Sequence, residues 1–201
     1  MFGSNALLTM ALYGSLLLMM PGPTNTLLLS SGLQVGVRKT LPLVAGEALG
    51  YVTAISLWGF FLLTFVAADA PWILHAVKLL CSAYILWLAV RMWMQTRLID
   101  ETSGGPVSMK EIFLVTVMNP KALLFASTLF PLEAFQSAEF FFYTVAVFLM
   151  FLGPIAIAWS CLGWILKSRR SLTNHTSAFL RIASVFLALF SGSLAISVFR
   201  Q

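Results

Sequence analysis

Long stretches without a charge constrain this chain more than any other feature. No Asp, Glu, Lys or Arg precedes Arg38, and further uncharged runs cover residues 48–68, 140–166 and 182–199. A helix needs about 20 apolar residues to cross the hydrocarbon core of a bilayer, so the chain reads as an all-α polytopic membrane protein. Only 9% of its 201 residues are charged, against roughly 25% in an ordinary soluble domain. Mean hydropathy is +0.93. The spans use nearly the whole chain, which leaves a single transmembrane domain over residues 1–201 and no room for a soluble one. The opening stretch lacks a basic leader and outruns a signal-peptide core, so it is expected to stay in place as the first span.

Six spans are expected, at about 5–35, 41–66, 71–94, 111–132, 140–166 and 178–199. Pro71 suits the first turn of the third, where its missing N–H costs nothing. The hydrophilic stretch QTRLIDETSGGPVSMKE, which begins at residue 95, reads as a linker between two halves. The net charge of +5 does not point to nucleic acid, because basic residues in such a chain mark the cytoplasmic loops. Nine of them (Arg38, Lys39, Arg91, Arg97, Lys110, Lys167, Arg169, Arg170 and Arg181) fall after spans one, three and five, against two, Lys78 and Arg200, on the other side. That bias puts both termini outside, in the periplasm if the cell is a bacterium. Two halves of three spans then have opposite orientations, a 3+3 inverted repeat.

Each half opens on a span that breaks itself. LLLMMPGPTNTLLLSSG holds Pro21, Gly22 and Pro23, and VMNPKALL holds Asn119, Pro120 and Lys121, about a hundred residues later. Proline lacks an N–H, so each break frees backbone carbonyls, which inside a bilayer must be satisfied by protein or by a water-lined cavity. A lone proline in a membrane helix is more often a silent kink. Paired breaks at corresponding places are a pointer to a transporter's binding site. Gly22-Pro23 and Asn119-Pro120 both have the form of a cap followed by proline at the first helical position. Two half-helix N-termini facing one central region would offer free N–H groups and partial positive charge to an anion, most simply a carboxylate.

Lys121 sits in the first turn of its half-helix, where a cation is disfavoured, and burying it unpaired costs at least about 2.5–3.5 kcal/mol. It is expected to meet something negative, either a substrate carboxylate or Glu47. Glu47 lies in LVAGEALGYVTA, sharing a helical face with Gly46, Gly50, Thr53 and Ala54. Gly46 and Gly50 form a small-xxx-small pair that lets another helix approach. An inward carboxylate is a candidate for proton coupling or for binding a substrate amine. It competes with two plainer readings, a permanent ion pair with Lys121 and a wetted position near the cytoplasmic interface.

The remaining polar residues carry less. Cys81 and Cys161 are isolated in apolar surroundings, and small buried hydrophobes are their default reading. His75 and His175 sit at span ends without acids or cysteines at ligand spacing, so no metal site is expected. Lys78 can snorkel outward, and the tryptophans read as belt or packing residues. A membrane enzyme would need a Ser/His/Asp set or HExxH, and neither is present. A metal exporter should cluster His, Cys or acids within its spans, where only Glu47 qualifies. A structural subunit would have no use for two central breaks and a buried lysine.

MMPGPTNTLLLSSGLQVGVRKTLPLVAGEALGY, HAVKLLCSAYILWLAVRMW and FLVTVMNPKALLFASTLF together resemble the LysE/RhtB family of bacterial amino-acid exporters, over most of residues 15–135. The resemblance implies a secondary exporter of amino acids or their derivatives in the inner membrane, driven by protons through alternating access, with no cofactor. It carries Pro21, Gly22, Pro23, Asn119, Pro120 and Lys121 over directly as substrate-binding residues. Members often have Asp or Asn straight after PGP. Here Thr24 comes first and Asn25 second, and both join the expected set. A glycine usual in the third span is replaced by Cys81-Ser82, and the family has no fixed acid at the position of Glu47. The amino acid itself, and whether small-residue faces build a homo-oligomer, stay open.

Overall fold

The computed structural model describes residues 4–67, 72–94, 107–168 and 176–199. Pro71, most of the 95–111 linker, His175, Arg97, Arg169, Arg170 and Arg200 lie outside the described residues. Every regular element among the described residues is helical: α1 (Ser4–Met19), α2 (Pro23–Val35), α3 (Val37–Ala67), α4 (Trp72–Met94), α5 (Met109–Val117), α6 (Pro120–Leu124), α7 (Ala138–Ser168) and α8 (Thr176–Phe199). A π-turn over Phe125–Leu129 continues α6, closed by a 2.8 Å bond from the Phe130 N–H to the Phe125 carbonyl, and a 3₁₀ turn covers Leu132–Gln136.

Among the described residues, two helices are apolar and long enough to cross a bilayer outright, Val37–Thr64 and Ala138–Lys167. Two bent pairs reach that length when each is taken as one span: Ala6–Met19 with Pro23–Val35, bent by 57°, and Met109–Val117 with Pro120–Leu129, bent by 48°. α4 and α8, of 23 and 24 residues, lie side by side.

Proline alone does not explain the two bends. Pro42 lies inside α3 and Pro154 inside α7, yet both helices run on. The breaks occur where the residue before proline is extended, as pre-proline sterics favour. Gly22 has φ −165° and ψ −179°, and Asn119 has φ −76° and ψ 120°. Elsewhere the expected boundaries move outward. α3 begins at Val37 rather than 41, so Arg38 and Lys39, expected in a loop, belong to its first turn, where Lys39 is exposed. A charge marks the edge of an apolar slab, but it does not stop a helix. A single residue, Gly36 at φ 83°, turns α2 into α3.

Small residues set the packing. On α3, a Cβ at Gly50 would come within 2.6 Å of the Thr116 Cβ, and one at Gly46 within 2.8 Å of the Ile112 side chain. The helix that approaches this small-xxx-small face is therefore α5, the first part of the second broken pair. On the other broken pair, α2 lies against α7 so closely that a Cβ at Gly32 would strike the Ser160 carbonyl and one at Gly163 the Leu29 carbonyl. Ser82 on α4 and Ser191 on α8 clasp each other reciprocally. Each hydroxyl donates to the other residue's carbonyl at 2.9 Å, with the two hydroxyls 3.1 Å apart.

The core between these layers is aromatic. Tyr51, Phe125 and Phe148 meet edge to face, with ring centroids 5.0–5.8 Å apart. The stack continues through Phe130 to Phe135, Phe60 and Phe141. It fills the molecule on one side of the breaks, toward the 3₁₀ turn.

Candidate functional site

The site is built on the first break. With Pro21 and Pro23 unable to donate, the last carbonyls of α1 need other partners. Asn25, in the first turn of α2, folds its side-chain amide back and donates to the carbonyls of Leu18 at 2.6 Å and Met20 at 2.7 Å. Lys121 reaches across from the second break, and its ammonium donates to the same Met20 carbonyl at 2.6 Å. Gly22 makes room for it: a Cβ there would stand 3.0 Å from both Cε and Nζ of Lys121. Residues about a hundred positions apart in sequence thus share one small polar centre, and Lys121, Asn25, Thr24, Asn119 and Glu47 are all buried.

Magnitudes show how the buried lysine is held in this arrangement. The sequence alone asks for a substrate carboxylate or Glu47 to offset a burial cost for Lys121 of at least about 2.5–3.5 kcal/mol. The carboxyl end of α1 is one negative partner, and Glu47 lies within electrostatic reach as a second. A helix C-terminus contributes up to ~2 kcal/mol to a partly buried cation, and a hydrogen bond to a charged group contributes about 1.5–3 kcal/mol. The two figures describe one contact, since the helix end acts through that same carbonyl, so the contact offsets a large part of the cost.

Glu47 faces inward beside Thr24 and Tyr51 and lies within electrostatic reach of Lys121. Even so, no hydrogen bond of ordinary length reaches either buried carboxyl oxygen among the described residues, although the Thr24 hydroxyl stands close enough to interact with it, and the Asn119 side-chain nitrogen is likewise without a hydrogen bond. The wetted position and the closed ion pair with Lys121 are both absent from this arrangement. Burying a carboxyl with so little hydrogen bonding costs free energy.

The two half-helix tips differ. At the second, the Asn119 side-chain oxygen accepts from the Lys121 N–H at 3.1 Å and caps its own helix. At the first, Gly22 provides no side-chain cap. The Thr26 N–H is taken by the Gly22 carbonyl at 2.9 Å, which leaves the N–H groups of Thr24 and Asn25 at the tip. Pro21 is buried, Gly22 and Pro120 are half-buried and Pro23 is exposed. No group of three or more His, Cys, Asp or Glu side chains that could hold a metal occurs among the described residues. Cys81 and Cys161 are unpaired.

The comparison with known proteins fits this architecture. The profile of the LysE type translocators matches residues 15–201. The chain belongs to that family. LysE type translocators are transporters rather than enzymes, and with its apolar helices this member is a multi-pass membrane protein. It is 30% identical to the cysteine/O-acetylserine efflux proteins of Salmonella paratyphi A and Salmonella typhi, over 54% of this chain and 55% of theirs. It is likewise 30% identical to that of Escherichia coli K12, over 55% of this chain and 56% of the relative. The alignment thus spans about half the length of the curated relatives it matches. No solved structure matches the chain significantly.

Sequence reasoning missed two parts of this site in a LysE type translocator. The Met20 carbonyl is a backbone atom, invisible to any motif. The Tyr51–Phe125–Phe148 stack carries no periodic signal, because apolar residues surround it on every side. Its one readable trace is that Tyr51 stands one helical turn after Glu47, and Phe125 one turn after Lys121.

Proposed function

We propose that this protein exports a small amino acid or amino-acid derivative across the bacterial inner membrane, coupled to protons by alternating access. The observation that carries the reading is the pairing at one buried centre of a cation and a carboxyl not bonded to each other. The Lys121 ammonium is held on the Met20 carbonyl, and the Glu47 carboxyl makes no hydrogen bond of ordinary length among the described residues. A zwitterion complements both. Its carboxylate would draw Lys121 off Met20 and meet the open N–H groups of Thr24 and Asn25, while its ammonium would replace a proton on Glu47. That exchange is how substrate and proton would compete for one acid. Asn25 keeps the Met20 carbonyl satisfied when the lysine leaves.

A six-span 3+3 inverted repeat is supported by how the helices pair. The α1/α2 span lies on α7, the α5/α6 span lies on α3, α3 meets α7, and α4 meets α8. That pattern maps onto itself when the halves are exchanged. The reciprocal Ser82–Ser191 clasp is the contact expected on the exchange axis, as self-complementary contacts lie on two-folds. The charge bias places the termini in the periplasm. The aromatic stack then seals the periplasmic side and the protein faces inward.

Inverted membrane vesicles test the reading, because export appears there as uptake. With an imposed proton gradient, vesicles should accumulate labelled O-acetylserine or cysteine, the solutes in the relatives' names, or another small neutral amino acid. Failure across a panel of labelled amino acids, with protein present in the membrane, would remove the amino-acid reading.

A further inference from the structure

A cavity of about 360 Å³ opens on the first break and is lined by Pro21, Gly22, Pro23 and Thr26 on one wall and by Tyr84, Trp87, Leu88 and Arg91 of α4 on the other. The α4 residues recur at i, i+3, i+4 and i+7, one continuous helical face. From Tyr84 to Arg91 they climb about 10 Å, from the level of the break to the end of the span. The Arg91 guanidinium lies over the Trp87 ring at 5.5 Å, and Trp87 packs on Tyr84 at 5.6 Å. At the same end of α4, Arg181 lies over Trp93 at 5.6 Å and adds a second positive charge. A guanidinium stacked on a ring keeps its N–H edge free for a planar oxyanion. Among the described residues no acid lines this cavity, so its one charge is positive.

We infer that this face of α4 is a carboxylate-recognising vestibule. Arg91 collects the substrate's carboxylate at the membrane surface, and the Trp87 and Tyr84 rings guide the molecule down to the uncapped tip of α2 at Gly22. This deepens the export reading and rests on it for the identity of the carboxylate. A lipid-facing aromatic belt with Arg91 at headgroup level is the competing arrangement.

Thiol labelling of purified protein in lipid nanodiscs decides between them, since both membrane faces are open there. Trp87→Cys, in a background of Cys81→Ser and Cys161→Ser, should react with an anionic methanethiosulfonate (ethylsulfonate) about tenfold faster than with the cationic ethyltrimethylammonium reagent, as a positive cleft concentrates anions. Adding Arg91→Gln should bring that ratio close to one. Saturating O-acetylserine should protect the thiol, and 2-aminoethyl acetate, which lacks the carboxyl, should not. Leu86→Cys, at an exposed position off this face, should react with neither charged reagent. If the Trp87→Cys variant behaves like the Leu86→Cys variant, or reacts with both reagents equally regardless of Arg91, the vestibule does not exist. Transport separates the two claims. Charge-selective labelling without export would leave the vestibule and remove the exporter, whereas export without charge selectivity would do the reverse.

Discussion

The two helix breaks share a backbone device but divide the chemistry between them. At the first, Pro21-Gly22-Pro23 leaves an α2 tip with no side-chain cap and turns the end of α1 into a carbonyl-rich acceptor. At the second, Asn119 closes its own tip, and what the break contributes is Lys121, aimed back across the molecule at Met20. A symmetric pair of anion-binding tips is the simplest expectation from sequence. The structure has one open tip and one cation, joined through a carbonyl that belongs to neither helix N-terminus. Duplicated geometry therefore does not imply duplicated roles, and substitutions at the two breaks should differ in kind as well as in size.

The largest difference should come from Lys121→Met. It removes the cation without a large change in volume, and Asn25 still serves the Met20 carbonyl, so the protein should reach the membrane in normal amount. Uptake of substrate by inverted vesicles should fall at least about a hundredfold, the equivalent of losing ~3 kcal/mol from a buried charge-assisted contact. Glu47→Gln comes next. It keeps the shape but cannot exchange a proton, so residual transport should stop responding to an imposed pH gradient while counterflow of substrate persists. A variant still driven by the gradient would reassign the coupling.

Stability should separate the breaks in the opposite order. Asn25→Leu strands the Leu18 carbonyl, at about 1–3 kcal/mol for a buried group left unsatisfied, and it also removes one of the two donors to Met20, leaving that carbonyl to Lys121 alone. Asn119→Ala loses one N-cap, worth about 1 kcal/mol. Thermal unfolding in detergent should therefore show a clearly larger drop for Asn25→Leu, and equal drops would mean that the two breaks are held alike. The smallest effect belongs to Gly22→Ala. The new methyl meets only the flexible end of Lys121, at 3.0 Å, so the lysine can yield by a few tenths of an ångström. The KM for transport should rise about threefold, a fraction of a kcal/mol, with the amount of protein unchanged.

What was legible in the sequence was local. Proline and glycine chemistry gives the breaks, long uncharged runs give the helices, and the spacing of Gly46 and Gly50 gives the face that α5 approaches. What stayed hidden depends on partners far along the chain. The Met20 carbonyl meets Lys121 across 101 positions, and Ser82 meets Ser191 across 109. Neither partner has a side-chain pattern that announces it. Hydropathy also conceals direction in such a chain. Arg91 counted only as a charge at the end of a span, yet it lines the cavity beside Gly22, because membrane helices lack the polar face that would show which way a residue turns.

The central claim is that Lys121 leaves the end of α1 to take the carboxylate of the substrate. Calorimetric binding of O-acetylserine and of 2-aminoethyl acetate, to purified wild-type protein and to Lys121→Met, tests it directly. Wild type should favour the carboxylate-bearing ligand by about thirtyfold or more, as a charge-assisted contact of ~2 kcal/mol implies, and the variant should lose most of that preference. An undiminished preference in Lys121→Met would show that another group reads the carboxylate and that Lys121 serves only to close the end of α1.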